Sequence, residues 1–232
     1  MMLPSIDPEE TVFSWGAKTR LALALSARQL SMQLFGSIRA GLAHDLPSCL
    51  AHVEDAAGVS IGSVTTLVRR HSVFGAYLAL ADADRALEVE SALFCGQTQR
   101  AHMLLGLRTN KVGARHAIRY CGACAEVDRK HLGYSRWIVD HQLPAAWVCR
   151  THQTLLVELH NLNRPWQLPM EESRAPTMAS VPSMPRHSLA IAAEVGALLA
   201  RSQGVRSERL REAALARMVD LGIVGNPARI DE

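Results

Sequence analysis

The sequence predicts a mainly α-helical protein, with an N-terminal helical domain, a short cysteine-containing segment and a C-terminal helical tail. Only 5% of the 232 residues are aromatic, and the 48% that are hydrophobic are mostly Ala, Leu and Val, a composition that favours helices over a β-sandwich. Apolar residues also recur at helical spacing before residue 107 and again after residue 187. With 20% charged residues, the chain has the composition of a folded protein rather than a disordered one.

Residues 1–112 form the predicted N-terminal helical domain. Asp7-Pro8-Glu9-Glu10 predicts the start of the first helix, because Asp7 can cap it, Pro8 suits its first position and Glu10 completes a capping box. Further helices are predicted from the spacing of apolar residues at about 28–36, 49–57, 61–71, 84–95 and 98–106.

Two of these helices, 49–57 and 61–71, are predicted to form a helix-turn-helix-like corner. Gly58 stands at the turn and Ser60 can cap the second helix. The corner would leave several side chains partly exposed for contact with DNA: Ile61, Ser63, Thr65, Thr66, Arg69 and Arg70. The alternative is an ordinary or partner-binding corner, since residues 1–99 hold seven Lys/Arg against ten Asp/Glu.

Two short motifs typical of enzymes occur in this domain, and neither fits its context. Gly58-Val-Ser-Ile-Gly62 matches the nucleophile elbow of α/β-hydrolases, but that elbow follows a buried strand and the preceding sequence is helix-like. His52-Val-Glu54 with a later C-x-x-C matches part of the zinc deaminase pattern, but Tyr120 stands where proline is expected. The sequence therefore predicts a protein that is not an enzyme.

The middle of the chain contains two pairs of metal-binding residue types. Cys121 and Cys124 form a C-x-x-C pair, and after 24 residues Cys149 and His152 form a C-x-x-H pair. Each pair is predicted to lie on a tight turn that aims both side chains at one ion. Three thiolates and an imidazole match tetrahedral zinc with no vacant position, which is a structural rather than a catalytic site. The alternative is free thiols and a surface histidine.

The segment around these cysteines, residues 113–160, is also the basic part of the chain. Residues 100–158 hold nine Lys/Arg against four Asp/Glu, whereas the net charge of the whole chain is only +3. Excess positive charge is what a surface needs to bind a phosphate backbone. The candidate nucleic-acid contacts in this segment are Arg115, Arg119, Arg129 and Lys130. A solvated face with no ligand is the alternative.

Residues 161–187 are predicted to be an extended linker, since they contain five of the ten prolines. Residues 188–232 are predicted to form two helices. Because two short helices cannot bury their apolar faces alone, this tail must dock on the rest of the chain, form a homodimer, or begin a domain that it does not complete. The first tail helix is predicted to bury one apolar stripe: Ile191, Val195, Leu198 and Leu199.

The N-terminus and the cysteine content predict a cytoplasmic protein. The first ten residues carry acids where a signal peptide would carry bases, and no apolar run is long enough to span a membrane. Five cysteines, two of them in a C-x-x-C, suit a reducing compartment and a metal better than a disulfide framework.

Three stretches of the sequence resemble the TniQ/TnsD family, the target-selection proteins of transposons. They are LPSIDPEETVFSWGAKTRLA near the N-terminus, RYCGAC with YSRW and WVCRTHQTLL in the middle, and LREAALARMVDLGIVGNPARID at the C-terminus. The middle stretch is the most specific, since it resembles the zinc motif of the family, with Gly122 at a position where proline is commoner. By this resemblance the zinc ligands are Cys121, Cys124, Cys149 and His152.

The resemblance implies a non-enzymatic adaptor in DNA transposition that holds one structural Zn²⁺. Members of the family bind an attachment-site DNA or a CRISPR RNA-guided complex, and they recruit an AAA+ ATPase of the TnsC or TniB type. The chain would be a short or a truncated member. The alternative function is a sequence-specific transcription regulator that uses the helix-turn-helix corner, with zinc as a scaffold.

Overall fold

A computed structural model describes residues 3–42, 44, 49–58, 61–107, 117–144, 146–159, 165–169, 177–178, 186–201 and 207–220. Within these ranges the chain is mainly helical, with eleven α-helices and three short strands, so the predicted fold class is confirmed. None of the described helices combines the length and the apolar character needed to cross a membrane.

Among the described residues, seven α-helices precede the cysteine-containing segment: α1 (Val12–Ala22), α2 (Ala27–Phe35), α3 (Leu50–Ala57), α4 (Val64–Arg70), α5 (Phe74–Ala79), α6 (Ala83–Phe94) and α7 (Thr98–Leu104). A single 3-10 turn lies between α2 and α3, at Ala40–Leu42. The remaining elements are β1 (Ile118–Tyr120), α8 (Gly122–Leu132), α9 (Val139–Gln142), β2 (Val157–Leu159), β3 (Thr177–Met178), α10 (Arg186–Arg201) and α11 (Ser207–Asp220). The three strands form one antiparallel sheet in the order β1-β2-β3.

The first helix begins later than predicted, and the predicted cap at Asp7 is wrong. Thr11 caps α1, and its Oγ1 accepts a hydrogen bond from the Ser14 N–H at 3.0 Å. Residues 7–10 form a turn instead, because the Glu10 carboxylate is fully buried and serves tertiary contacts. It accepts hydrogen bonds from Lys18 Nζ at 2.7 Å and from the Ser14 hydroxyl at 2.9 Å.

The corner between α3 and α4 also differs in detail from the prediction. Ser63 caps α4, and its hydroxyl accepts the backbone N–H three residues later at 3.3 Å. Ser60, the predicted cap, lies outside the described residues. Ile61 is 3% exposed because it precedes the helix and packs in the core, so its predicted exposure is wrong. Gly58 ends α3 with φ at +55°, a conformation that favours glycine.

The segment at residues 165–169 lies in the core rather than in the extended linker predicted there. Trp166 is fully buried between two phenylalanines, with ring centroids 5.2 Å from Phe13 and 4.6 Å from Phe35. Its indole N–H donates to a buried serine hydroxyl of α2 at 2.7 Å. A buried tryptophan with a satisfied N–H contributes strongly to a core, so this segment joins the N-terminal helices.

A short extended segment before α1 holds two distant parts of the chain together. The Val139 N–H donates to the Glu9 carbonyl at 2.9 Å, and the Thr11 N–H donates to the Trp137 carbonyl at 3.0 Å. The His71 carbonyl, at the end of α4, accepts the first N–H of α1 at 2.9 Å. These contacts cross the predicted boundary after residue 112, and the division into separate domains stays a prediction.

Helix α10 docks on α5 and α4, which fits one of the alternatives predicted for the tail. The predicted apolar stripe does not form this contact. Its members Ile191, Val195 and Leu198 are 62%, 50% and 58% exposed, and the side chain of Leu199 lies outside the described residues. The buried positions instead follow one helical face: Leu189, Ala193 and Ala197. Small side chains allow α10 to approach its neighbours closely. Formation of a homodimer stays a prediction.

We predict that Gly16→Ala destabilises the fold, although alanine is the better helix former. A Cβ at Gly16 in α1 would overlap the ring of Trp166, so the free energy of unfolding should fall by about 1–3 kcal/mol in urea denaturation. Gly122→Ala in α8 is the matched control, since a Cβ there meets nothing within 4 Å. It should be neutral or stabilise by up to about 1 kcal/mol. Equal effects of the two substitutions would contradict the packing of Trp166.

Candidate metal centre

The antiparallel pairing of β1 with β2 brings the two predicted ligand pairs together. Cys121 follows β1 directly, and the second pair lies in the turn that leads into β2. The register places Arg119 opposite Glu158. The side chain of Gln142 supports the outer edge of β1, where its Oε1 accepts the Arg119 N–H at 3.0 Å and its Nε2 donates to the Arg119 carbonyl at 2.6 Å.

The first ligand pair lies at the start of a helix rather than in the predicted tight turn. Cys121 is the N-cap residue of α8, and Cys124 stands in the first helical turn. Residues three apart on a helix face the same side, which explains how both sulfurs reach one point.

The second pair lies in a turn, as predicted. The Cys149 N–H donates to the Thr154 carbonyl at 2.8 Å, and the Gln153 N–H donates to the Cys149 carbonyl at 2.9 Å. Gln153 has a positive φ of +53°, so the chain reverses sharply there.

The four predicted ligand atoms form one compact cluster in which all lie within 4.8 Å of one another. His152 Nδ1 is 3.2 Å from Cys124 Sγ and 3.7 Å from both Cys121 Sγ and Cys149 Sγ, and the sulfurs of Cys124 and Cys149 are 3.6 Å apart. Tetrahedral zinc, with Zn–S of about 2.3 Å and Zn–N of about 2.0 Å, needs separations of about 3.8 Å between sulfurs and about 3.5 Å between sulfur and nitrogen. The cluster therefore fits one zinc ion.

The protonation of the sulfurs also favours a cation at the centre of the cluster. Hydrogen bonding with Cys124 and Cys149 lowers the pKa of the Cys121 thiol, whereas hydrogen bonding with Cys121 and Cys149 raises the pKa of the Cys124 thiol. Sulfurs this close share protons because they cannot all be charged without compensation. A divalent metal supplies that compensation, since cysteine binds metals as thiolate.

One side of the cluster opens into a cleft of about 260 Å³ that Cys124 and His152 help to line. His141 of α9 also borders this cleft, and its Nε2 is 4.0 Å from Cys124 Sγ. Its side chain is buried, which lowers the pKa of His141 to about 4. Sequence analysis did not single out His141, because it belongs to no spaced ligand pair and meets Cys124 only through the packing of α9.

The predicted contact between Arg119 and nucleic acid is wrong. Arg119 is 2% exposed, and its Nε donates to Glu158 Oε1 at 2.8 Å. Its Nη1 donates to the Ala146 carbonyl at 2.8 Å, and its guanidinium lies 4.1 Å from the ring centroid of Trp147. A guanidinium held on all these sides does not reach a phosphate.

Much of the basic charge in the middle segment is neutralised by ion pairs. Three ion pairs join described residues of this segment: Arg119–Glu158, Arg136–Asp128 and Arg150–Asp140. Arg129 and Lys130 are exposed on α8, as the predicted nucleic-acid contact requires, and Arg115 lies outside the described residues. Contact of this segment with nucleic acid stays a prediction.

The candidate DNA contacts at the corner between α3 and α4 differ in their exposure and in the contacts that they already make. Ser63, Thr65 and Arg70 are exposed, although the Ser63 hydroxyl is already used to cap α4. Arg69 is partly exposed and its Nε pairs with the carboxylate of Glu90 on α6 at 2.5 Å. DNA contact by these side chains also stays a prediction.

We predict that Arg119→Ala lowers the free energy of unfolding by about 3–5 kcal/mol, because it removes the positive charge that pairs with the buried Glu158 carboxylate. Arg129→Ala is the matched control, since this exposed arginine should change stability by no more than about 0.5 kcal/mol. Urea denaturation measures both values. An unchanged free energy of unfolding in Arg119→Ala would contradict the buried ion pair.

We predict that the purified protein holds one zinc ion per chain and that Cys149→Ser loses it. The Cys149 sulfur is buried against the other ligands, and removal of one ligand from a closed site leaves an incomplete tetrahedron. Elemental analysis after gel filtration measures the zinc content. Cys95→Ser is the matched control, because Cys95 is an exposed cysteine outside the cluster and its loss should leave the zinc bound. Wild-type protein that is folded without zinc would refute the site.

Comparison with protein-family models matches residues 1–156 to the TniQ family. The match covers about two thirds of the chain and includes the whole metal cluster. Comparison with curated proteins found no match. The helical fold, the Cys₃His cluster and the extent of the match lead to one conclusion: the chain belongs to the TniQ family, whose members are associated with transposition.

Proposed function

We propose that the protein is a non-enzymatic adaptor in DNA transposition. It links target DNA, or an RNA-guided targeting complex, to an AAA+ ATPase of the TnsC or TniB type. The observation that carries the proposal is the family match over residues 1–156, which contains the complete ligand set. A zinc ion with four protein ligands keeps no position for water, so it stabilises structure rather than catalysing a reaction.

The arrangement of short elements around the metal supports a role in binding. The strands β1 and β2 have three residues each and α9 has four, which is too little apolar surface for an independent core. Metal binding and contacts with the segment before α1 hold these elements in place. A partner that binds both the N-terminal helices and the metal region would therefore meet one preorganised surface.

Exposed basic residues on α8 are the best placed candidates for a phosphate backbone. Arg129 and Lys130 are adjacent in the last turns of that helix, and neither is among the buried ion pairs of the segment. Each phosphate contact by a lysine or arginine adds about one unit to the slope of affinity against salt.

The test of the adaptor role is a pull-down of an AAA+ ATPase of the TnsC or TniB type, with wild-type protein and the zinc-site variant. Cys149→Ser should abolish recruitment of the ATPase, because the metal region loses its fixed shape, whereas Cys95→Ser should recruit it normally. Recruitment by zinc-free Cys149→Ser protein would refute the proposed role of the metal centre. A zinc-loaded wild-type protein that binds no ATPase would refute the adaptor role itself.

We predict that replacing both Arg129 and Lys130 by alanine weakens DNA binding and lowers the salt slope by about two, without loss of ATPase recruitment. A salt-titrated binding assay measures the slope. The matched control replaces two exposed arginines of the acidic N-terminal part, Arg28 and Arg39, and should leave the slope unchanged. Identical slopes for all three proteins would show that α8 does not contact DNA.

A further inference from the structure

Each sulfur of the metal centre has a hydrogen-bond donor beside it. Two of them lie in the second ligand turn, the Thr154 hydroxyl 3.3 Å from Cys121 Sγ and the His152 backbone N–H 3.5 Å from Cys149 Sγ, and the third is the His141 imidazole on α9, 4.0 Å from Cys124 Sγ. Three thiolates with one Zn²⁺ leave one negative charge at the centre, and donors to the sulfurs stabilise that charge.

The surroundings of His141 decide which of its nitrogens carries the proton. Its side chain is 5% exposed, and its Nδ1 has no hydrogen-bond partner within the described part of the chain. A proton on Nδ1 would leave that N–H buried without an acceptor, and it would turn the lone pair of Nε2 toward the sulfur of Cys124. A proton on Nε2 gives the sulfur a donor and leaves only one acceptor unpaired, which is the less costly arrangement.

Among the three sulfurs of the metal centre, Cys124 is the one that reagents in solution reach first. Cys121 and Cys149 are 0% and 1% exposed, whereas Cys124 is partly exposed. Cys124 and Cys149 both border the cleft, and Cys124 is the more exposed of the two. The reactivity of a thiolate follows its exposure and its electron density, and a hydrogen bond to the sulfur withdraws electron density. The His141 imidazole therefore lies beside the sulfur of the cluster that is most open to reaction with reagents in solution.

We propose that His141 is a positioning residue of the metal centre, whose Nε2–H donates to the Cys124 thiolate and protects this sulfur from electrophiles and the zinc from exchange. The proposal rests on the zinc site of the proposed function and not on the adaptor role. Its tests measure the metal centre alone, so a failure of ATPase recruitment leaves it untouched.

The first test uses the unaltered zinc-loaded protein. Long-range ¹H–¹⁵N correlation spectra of the histidine rings distinguish the two neutral tautomers. We expect the Nε2–H form for His141, with a proton that exchanges slowly because the ring is buried. The Nδ1–H form would overturn the proposal. This measurement does not depend on whether any variant folds.

The second test compares His141→Leu with His141→Gln, whose amide keeps an N–H donor. His141→Leu should weaken zinc binding by about 10- to 100-fold. It should also speed alkylation by iodoacetamide, in which the sulfur displaces iodide, with Cys124 as the first of the three cluster sulfurs to be modified in mass spectrometry. His141→Gln should stay close to wild type, and His131→Gln, at an exposed position of α8, is the control.

Three outcomes of the second test would count against the proposal. Wild-type alkylation rates in His141→Leu would show that the ring does not affect the sulfur. Equal effects of leucine and glutamine would show that His141 acts only through packing. First alkylation at Cys121 or Cys149 would show that the exposed sulfur is not Cys124.

Discussion

The pairing of two three-residue strands is the constraint on which the metal centre depends. It fixes the end of β1, where Cys121 stands, beside the turn that carries Cys149 and His152. Strands this short do not hold each other by backbone hydrogen bonds alone. The buried pair of Arg119 with Glu158 lies directly across the two strands and supports them from one face. The strand pairing thus brings the four candidate ligands together, and a bound metal ion would stabilise the pairing in turn.

The ligand set could be predicted from the sequence because each half of it is local. A C-x-x-C and a C-x-x-H place two ligands within one turn of chain, whatever the surrounding fold. The way in which the halves meet could not be predicted, because β1 and β2 are too short to produce an alternating pattern. His141 could not be predicted for a related reason, since its approach to Cys124 depends on the position of α9 and not on any spacing in the sequence.

Three of the wrong predictions share one cause, which is a tertiary contact that the local sequence pattern does not show. Glu10 looked like part of a helix cap, but its carboxylate is bound by Lys18 inside the protein. Arg119 looked like a phosphate contact, but its charge is used by Glu158 on the neighbouring strand. In α10 the large apolar residues looked like the buried face, but small residues such as Ala197 face the apolar cluster around the ligands. A local sequence pattern does not show which of its residues bind partners elsewhere in the fold.

Arg150, which follows Cys149, connects the turn of the second ligand pair to helix α10. One edge of the Arg150 guanidinium pairs with Asp140 at 2.9 Å, and its Nε pairs with Glu194 on α10 at 2.8 Å. A ligand residue and the tail helix are therefore connected through a single side chain in space, although more than forty positions lie between Arg150 and Glu194 in the sequence. Chelation at the cysteines would loosen the anchorage of α10, so amide exchange in that helix would serve as a remote reporter of metal occupancy.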